Sequence, residues 1–166
     1  MGICAEELRA YVVAPCLEHL GEWSKAAENL LLGTAALESS MGFHLHNHGQ
    51  RGVGLFQILP ERHTEIWDHF LIGDADMASK VRGLASQREF LVHPHAELAT
   101  NLSYATAIAW MIYKYNRITL PDASDTEGLA KAWIKGYHNG DAEETTSCHL
   151  FVNAYQRHVS STASAA

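Results

Sequence analysis

The chain has 166 residues, a formal net charge of −7 with neutral histidines, and 47% hydrophobic residues, which is enough for one buried core. Twelve Lys and Arg against nineteen Asp and Glu, with no basic run, argue against a surface that binds nucleic acid or anionic membrane. No stretch is apolar for long enough to span a bilayer, and the start of the chain lacks the pattern of a secretion signal, so we expect neither. The three cysteines, Cys4, Cys16 and Cys148, have no metal-binding or CxxC spacing and are predicted to be reduced, buried thiols.

The first informative element is a helix that Ser24 can cap. Residues at steps of four, three and four return to one apolar face of this helix: Ala27, Leu31, Thr34 and Glu38. The pattern therefore predicts a glutamate on the buried face, at the C-terminal end of the helix.

A polar, histidine-rich loop begins at Gly42 and leads into the apolar segment "VGLFQI", which is predicted to be a short strand or a tight loop. Pro60 is suited to the first turn of the next helix. Four residues are predicted to share the inward face of that helix: His63, Trp67, Phe70 and Leu71. Asp74 or Asp76 can begin another helix, for which four inward residues are predicted: Met77, Val81, Leu84 and Leu91.

The stretch "NLSYATAIAWMIYKYN" is apolar on nearly all sides, which predicts the central helix of the core. Ser124 and Glu127 match a capping box for a helix whose inward stripe is Ala130, Trp133 and Tyr137, with a stop at Asn139-Gly140. A last helix over 147–159 is expected to bury Phe151, Val152 and Tyr155. We therefore predict a mainly α single domain over residues 1–160, with little or no β structure and a disordered tail at 161–166.

Glu38 carries the clearest chemical prediction. A carboxylate on an apolar face at the C-terminal end of a helix is disfavoured by desolvation and by the helix dipole, and both effects raise its pKa. A glutamic acid that stays protonated near neutral pH can act as a general acid, for example toward the leaving oxygen of a glycoside. The alternative from periodicity alone is a glutamate that turns outward to solvent at the helix end.

Three short motifs accompany this glutamate: "ESSMG", then "GLFQILP" with its glutamine 19 positions on (57 − 38 = 19), then "GYHNG" late in the chain. Together they resemble the signature motifs of the lytic transglycosylase family, lysozyme-like enzymes that cleave peptidoglycan. The resemblance extends from Ser24 to about Tyr155 and is closest to the short lysozyme-like proteins encoded by bacteriophages. It implies a goose-type lysozyme-like fold and cleavage of the β-1,4 bond between N-acetylmuramic acid and N-acetylglucosamine.

The resemblance also implies roles for particular residues. Glu38 is expected to be the sole catalytic acid and base, and Ser39 the hydroxyl that orients it. Gln57 is expected to hydrogen-bond the sugar or the surroundings of the glutamate, with Phe56 beside it as a wall of the cleft. The hydroxyl of Tyr137 is expected to approach the glutamate.

Two further positions are candidates for substrate binding. Tyr104 can line the cleft from the central helix, although core packing is its default. The family has Asn directly after its motif tyrosine, whereas this chain has His138 and then Asn139, so either His138 substitutes or the turn is shifted by one.

One carboxylate can suffice where the 2-acetamido group of the sugar assists the reaction, and the product is then a 1,6-anhydro sugar. Glu61, Glu65 and Asp68 are predicted to lie on a solvated face, which favours this mechanism over a hydrolytic lysozyme with two carboxylates. A non-catalytic glycan-binding module is the other alternative. No cofactor is expected, and the expected partners are peptidoglycan glycan strands. Without a secretion signal, a cytoplasmic protein would need a phage particle, a lysis pore or a secretion machine to reach the wall.

The histidine spacing raises a separate hypothesis of zinc binding. His44, His46 and His48 would share one side of an extended segment, and His93 and His95 repeat the spacing. No cysteine or acidic ligand lies beside them, so solvated or substrate-facing histidines are the simpler interpretation and no metal site is predicted. The tryptophans at helical spacing are predicted to belong to the core: Trp67, Trp110 and Trp133.

Overall fold

A computed structural model describes residues 1–46, 49–138 and 143–161. Within these ranges the chain is mainly helical and has no strand, only an isolated antiparallel bridge between Val53 and Ile58. The α-helices described are α1 (Ala5–Leu8), α2 (Ala14–Leu20), α3 (Lys25–Ser39), α4 (Pro60–Glu65), α5 (Ala75–Leu84), α6 (Gln87–Val92), α7 (Glu97–Thr100), α8 (Leu102–Tyr115), α9 (Thr126–Gly136) and α10 (Glu144–Tyr155). Five-residue π-helical turns continue α1, α4 and α10: Arg9–Val13, Ile66–Phe70 and Gln156–Ser160. The prediction of a mainly α single domain is confirmed.

Helix α8 forms the centre of the core, as its sequence predicts. Ten consecutive residues of α8, 104–113, are buried. Helices α2, α3, α5 and α9 pack around it, so every face of α8 meets another helix. No helix in the described ranges has the length and the apolar composition that a bilayer crossing requires.

Two predicted helix starts are confirmed by capping hydrogen bonds. The Ser24 hydroxyl accepts from the backbone N–H of Ala27 at 3.0 Å and begins α3. The Asp74 carboxylate, rather than Asp76, accepts from the N–H of Met77 at 3.0 Å and begins α5. Each cap satisfies a backbone donor that the first turn leaves unpaired.

The predicted capping box at Ser124 and Glu127 is wrong. Helix α9 begins one residue later, and the Asp125 carboxylate caps it by accepting from the Gly128 N–H at 2.9 Å. Ser124 instead donates to the Asp122 carboxylate at 2.6 Å, which closes a tight turn before the helix. The inward stripe predicted for this helix is nevertheless buried: Ala130, Trp133 and Tyr137.

Three burial predictions also need correction. Leu91 is 76% exposed because α5 ends at Leu84 and Ser86 caps a separate helix, so the helical period does not continue to Leu91. Of the three cysteines predicted to be buried, Cys16 is buried, Cys148 is half-buried and Cys4 is exposed; all three are free. Val152 is only half-buried. The predicted helix stop at Asn139-Gly140 and residues 162–166 of the predicted tail lie outside the described residues.

Helix α10 packs closely against α3, and a glycine makes this possible. A Cβ atom added at Gly33 would overlap the ring of Phe151, which is fully buried. The helix axes can therefore approach each other only because position 33 has no side chain. This close approach places α10 beside the C-terminal end of α3.

We expect Gly33→Ala to destabilise the protein by about 1–3 kcal/mol, since overpacking against Phe151 outweighs the better helix propensity of alanine. Urea unfolding measures the difference. Gly83→Ala is the matched control, because Gly83 also lies in a helix but has open space around it. That variant should gain up to about 1 kcal/mol, and equal effects of the two substitutions would contradict the packing argument.

Candidate active site

Glu38 is the next-to-last residue of α3 and is half-buried. The indole Nε1 of Trp133, which is almost fully buried on α9, donates a hydrogen bond to Glu38 Oε1 at 3.1 Å. Among the described residues, Oε2 of Glu38 accepts no hydrogen bond. Glu38, which was predicted to lie on the buried face, is thus only half-buried, with its carboxyl group directed at Trp133.

The surroundings of Glu38 favour its neutral form. Burial raises the pKa of Glu38 from an ordinary 4.5 to about 7, against the opposing effects of the Trp133 hydrogen bond and the positive charge of Arg62. The carboxyl group is therefore about half protonated near neutral pH. Such a group can donate a proton and, once ionised, accept one.

Two cavities meet at Glu38. One, of about 510 Å³, is lined by the described residues Glu38, Gln57, Arg62, Tyr137 and His138 together with 49–52 and 58–59. The other, of about 290 Å³, adjoins the first and shares Glu38, Gln50 and His138 with it. Glu38 thus lies at the boundary between two neighbouring open cavities. Among the described residues, it is also the one carboxylate that lines either cavity.

The turn between Val53 and Ile58 is fastened to the helices on both sides of Glu38. The Ser39 hydroxyl donates to the Leu55 carbonyl at 2.6 Å, and the Tyr137 hydroxyl donates to the Phe56 carbonyl at 2.6 Å. Ser39 also accepts from the Gly42 N–H at 2.8 Å, which fixes the chain as it leaves α3. These bonds join α3, the turn and the end of α9 around one carboxyl group.

The backbone near Glu38 is strained. Three of the four non-glycine residues with positive φ in the described chain are Ser40, Met41 and Gln57, in the two segments that flank the glutamate. Such conformations cost on the order of 1 kcal/mol each and tend to occur at functional sites. Gly54 also has a positive φ, and a Cβ there would overlap the Leu98 carbonyl, so both its backbone conformation and its packing require glycine.

The structure brings three predicted residues to the same cavity: Glu38, Gln57 and Tyr137. Ser39 is buried and bonds to the turn rather than to the Glu38 carboxyl group, so its position is that of a loop anchor. The Phe56 side chain is fully buried, and the prediction that it walls the cleft is not met. Asn139 lies outside the described residues.

Tyr104 is not in the groove, and its hydroxyl explains why. Trp67 Nε1 donates to it at 2.8 Å, and it also shares a hydrogen bond of 2.6 Å with His63 Nε2. The Nδ1 atoms of His63 and His95 are in turn 2.9 Å apart. Burial lowers the pKa of His63 to about 4. A neutral His63 can take part in this chain of bonds, which commits Tyr104 to the core.

Arg62 is a site residue that sequence analysis missed. It donates to the Tyr137 carbonyl at 2.6 Å, and its guanidinium lies 5.3 Å from the centroid of the Tyr137 ring. Helical periodicity could not identify it, because Arg62 neighbours the inward-facing His63 instead of sharing its face. Its contact with Tyr137 joins segments 75 positions apart in the chain.

His138 occupies the position where the resembled family has asparagine. Its ring lies 4.5 Å from the Trp133 ring, centroid to centroid, and it lines both cavities. Burial lowers the pKa of His138. Its Nε2 is buried and, among the described residues, has no hydrogen-bond partner.

The histidines considered for zinc do not form a recognisable site in the described chain. No group of three or more His, Cys, Asp or Glu residues there has a geometry that could hold a metal ion. His48 lies outside the described residues. His95 instead pairs with His63, and His93 lies 3.7 Å from the Glu89 carboxylate.

The fold and the site together define a mainly helical domain with a half-buried acid in a groove. Compared with protein-family models, curated proteins and solved structures, the chain matches none. The resemblance to lytic transglycosylases therefore depends on the short motifs around Glu38, Gln57 and Tyr137.

We expect Glu38→Gln to stabilise the protein in a pH-dependent way. The folded chain prefers neutral Glu38, so ionisation between the unfolded pKa of 4.5 and the folded value of about 7 destabilises the wild type. The amide cannot ionise and still offers an oxygen to Trp133. The variant should match the wild type near pH 4 and exceed its free energy of unfolding by on the order of 2–3 kcal/mol at pH 8.

Urea unfolding at several pH values measures this difference. Glu65→Gln is the control, because Glu65 is exposed on α4. A stability difference for Glu38→Gln that does not change between pH 5 and pH 8 would show that Glu38 is not held in its neutral form.

Proposed function

We propose that this protein is a peptidoglycan-cleaving enzyme of the lytic transglycosylase type, with Glu38 as its catalytic acid and base. The observation that carries the proposal is a carboxyl group with a pKa of about 7 at the boundary between two neighbouring open cavities. Two adjoining open cavities at the acid leave room for more than one sugar unit, which suits a polymer, whereas a small ligand usually lies in an enclosed pocket. The choice of peptidoglycan as substrate rests on the short motifs around Glu38, Gln57 and Tyr137, which resemble those of lytic transglycosylases.

In the proposed reaction, protonated Glu38 gives its proton to the oxygen that links N-acetylmuramic acid to the next sugar. The C–O bond breaks and positive charge develops on the ring of the muramic acid residue. Ionised Glu38 then takes the proton from the C6 hydroxyl of that sugar as its oxygen closes on C1. The product is a 1,6-anhydro sugar, and Glu38 returns to its protonated state without water.

The second carboxylate of ordinary glycosidases has no counterpart among the described groove residues. Glu61, Glu65 and Asp68 are exposed on or just after α4, and Glu61 pairs with Arg51. The proposal therefore assigns stabilisation of the developing charge to the 2-acetamido group of the substrate, as in substrate-assisted glycosidases. Trp133 positions Glu38 by its hydrogen bond to Oε1.

We expect the wild-type protein to release fragments from purified peptidoglycan that are one water lighter than lysozyme products. Glu38→Gln should reduce release by at least about 100-fold, because an amide cannot donate the required proton. Mass spectrometry of the soluble fragments measures both results. Glu65→Gln is the control and should retain wild-type activity.

Other outcomes of this experiment have definite meanings. Full-mass fragments with reducing ends would replace the transglycosylase with a hydrolytic lysozyme that still uses Glu38. No fragments from the wild type, with binding to the wall intact, would refute the enzyme and leave a glycan-binding module.

The rate of cleavage should fall as pH rises through about 7, since only protonated Glu38 can begin the reaction.

The positive charge of Arg62 favours the ionised form of Glu38 and lowers the pKa of Glu38. Arg62→Gln should therefore move the falling limb of kcat/KM to higher pH, whereas Arg62→Lys, which keeps the charge, should leave it nearly in place. If kcat/KM falls at the same pH in both variants, the charge of Arg62 does not influence the pKa of Glu38.

A further inference from the structure

The backbone just after α3 has an unusual conformation. Ser40, Met41 and Gly42 all have φ in the left-handed range, at 50°, 60° and 79°. L-residues adopt this range singly rather than in succession, because the Cβ atom comes close to the following carbonyl oxygen. Local interactions therefore do not explain three such residues in a row, and contacts from another part of the chain are needed to hold this 40–42 turn.

Those contacts come from residues 2 and 3. The N–H of Ile3 donates to the Met41 carbonyl at 2.8 Å. Gly2 lies so close to the turn that a Cβ atom there would overlap the carbonyl oxygens of Ser40 and Met41. The side chain of Ile3 lies against Gly42, since a Cβ atom on Gly42 would be 3.5 Å from Ile3 Cδ1. Gly2 and Ile3, which we call the strap, thus contact all three residues of the 40–42 turn.

The strap is itself fixed to the body of the protein. Both of its residues are half-buried, and the side chain of Ile3 packs against the hydrophobic core. Helix α1 follows almost directly, and its residues Ala5 and Leu8 are buried in the same core. The strap therefore holds the 40–42 turn from a segment that cannot easily move.

The 40–42 turn supports the end of α3, where Glu38 lies. The N–H of Met41 donates to the Ala35 carbonyl at 3.0 Å. The N–H of Gly42 donates to the Ser39 hydroxyl at 2.8 Å. These bonds hold the last turn of the helix, whose carbonyls have no partner further along the helix. If the 40–42 turn moved, the end of α3 would fray and the Glu38 carboxyl group would gain contact with water.

We propose that Gly2 and Ile3 are positioning residues for Glu38, because they hold the 40–42 turn and thereby keep the end of α3 in place beside Trp133. Neither residue is among those that line the two cavities at Glu38 in the described chain, so the strap acts through the turn. The inference goes beyond the proposed function and does not depend on it, since it concerns the position of the carboxyl group in the absence of substrate.

A carboxyl titration by ¹³C NMR tests the strap, with the Glu38 signal identified by its absence from Glu38→Gln. Gly2→Ala should push the strap away from the 40–42 turn, and Ile3→Pro removes the donor to Met41. In both variants water should reach Glu38, and its pKa should fall from about 7 to about 6. Ile3→Val keeps the N–H and most of the side chain, so it should leave the pKa of Glu38 at about 7.

Val81→Ala is the control for a loss of stability alone. Val81 is fully buried on α5, which packs against α2 and α8, and its truncation should destabilise the fold without changing the pKa of Glu38. An unchanged pKa in either strap variant, or an equal fall in Val81→Ala, would overturn the positioning role. Failure of the proposed function looks different. In that case the wild type releases no fragments from peptidoglycan, while the pKa of Glu38 still falls in both strap variants.

Discussion

Two hydroxyl groups hold the candidate site together by bonding to neighbouring carbonyls of one turn. Ser39, at the end of α3, and Tyr137, just after α9, donate to Leu55 and Phe56, each at 2.6 Å. Without these bonds, two buried carbonyls would lack partners and the turn would have no fixed place between the helices. Glu38, Gln57 and the cavity wall all take their positions from this arrangement.

The same arrangement explains why the two hydroxyls do not meet the carboxyl group. A buried carbonyl needs a donor, and Ser39 and Tyr137 satisfy that need, so the indole of Trp133 remains to hold Glu38. An indole N–H carries no charge, which is important for the acid. A cation in its place would lower the pKa of Glu38 further and leave little of the protonated form at neutral pH.

The sequence predicted the parts of the site that depend on local pattern. Helical periodicity placed Glu38 on the inward face, and burial at a helix end indicated a raised pKa, which the geometry supports. Periodicity failed where the relevant contact joins distant segments. No local sequence pattern relates Arg62 to Tyr137, because their contact joins distant segments. The sequence around Tyr104 likewise does not show whether its side chain packs in the core or lines a cleft, since that depends on the partners of its hydroxyl group. The start of α9 was missed because Asp125 and Ser124 are adjacent and both are good caps.

The balance of charges around Glu38 matters because the proposed reaction asks one group to act twice. A carboxyl group with a much higher pKa would hold its proton too firmly to give it up, and one with an ordinary pKa would rarely carry a proton at all. Burial pushes the pKa upward, while the Trp133 hydrogen bond and Arg62 pull it back to about 7. Arg62, which lowers the pKa of Glu38, contacts both the carbonyl and the ring of Tyr137. Tyr137, which anchors the turn, therefore also fixes the position of Arg62. Geometry and acidity at this site therefore depend on the same few contacts, and a substitution that loosens the turn should also change the pKa of Glu38.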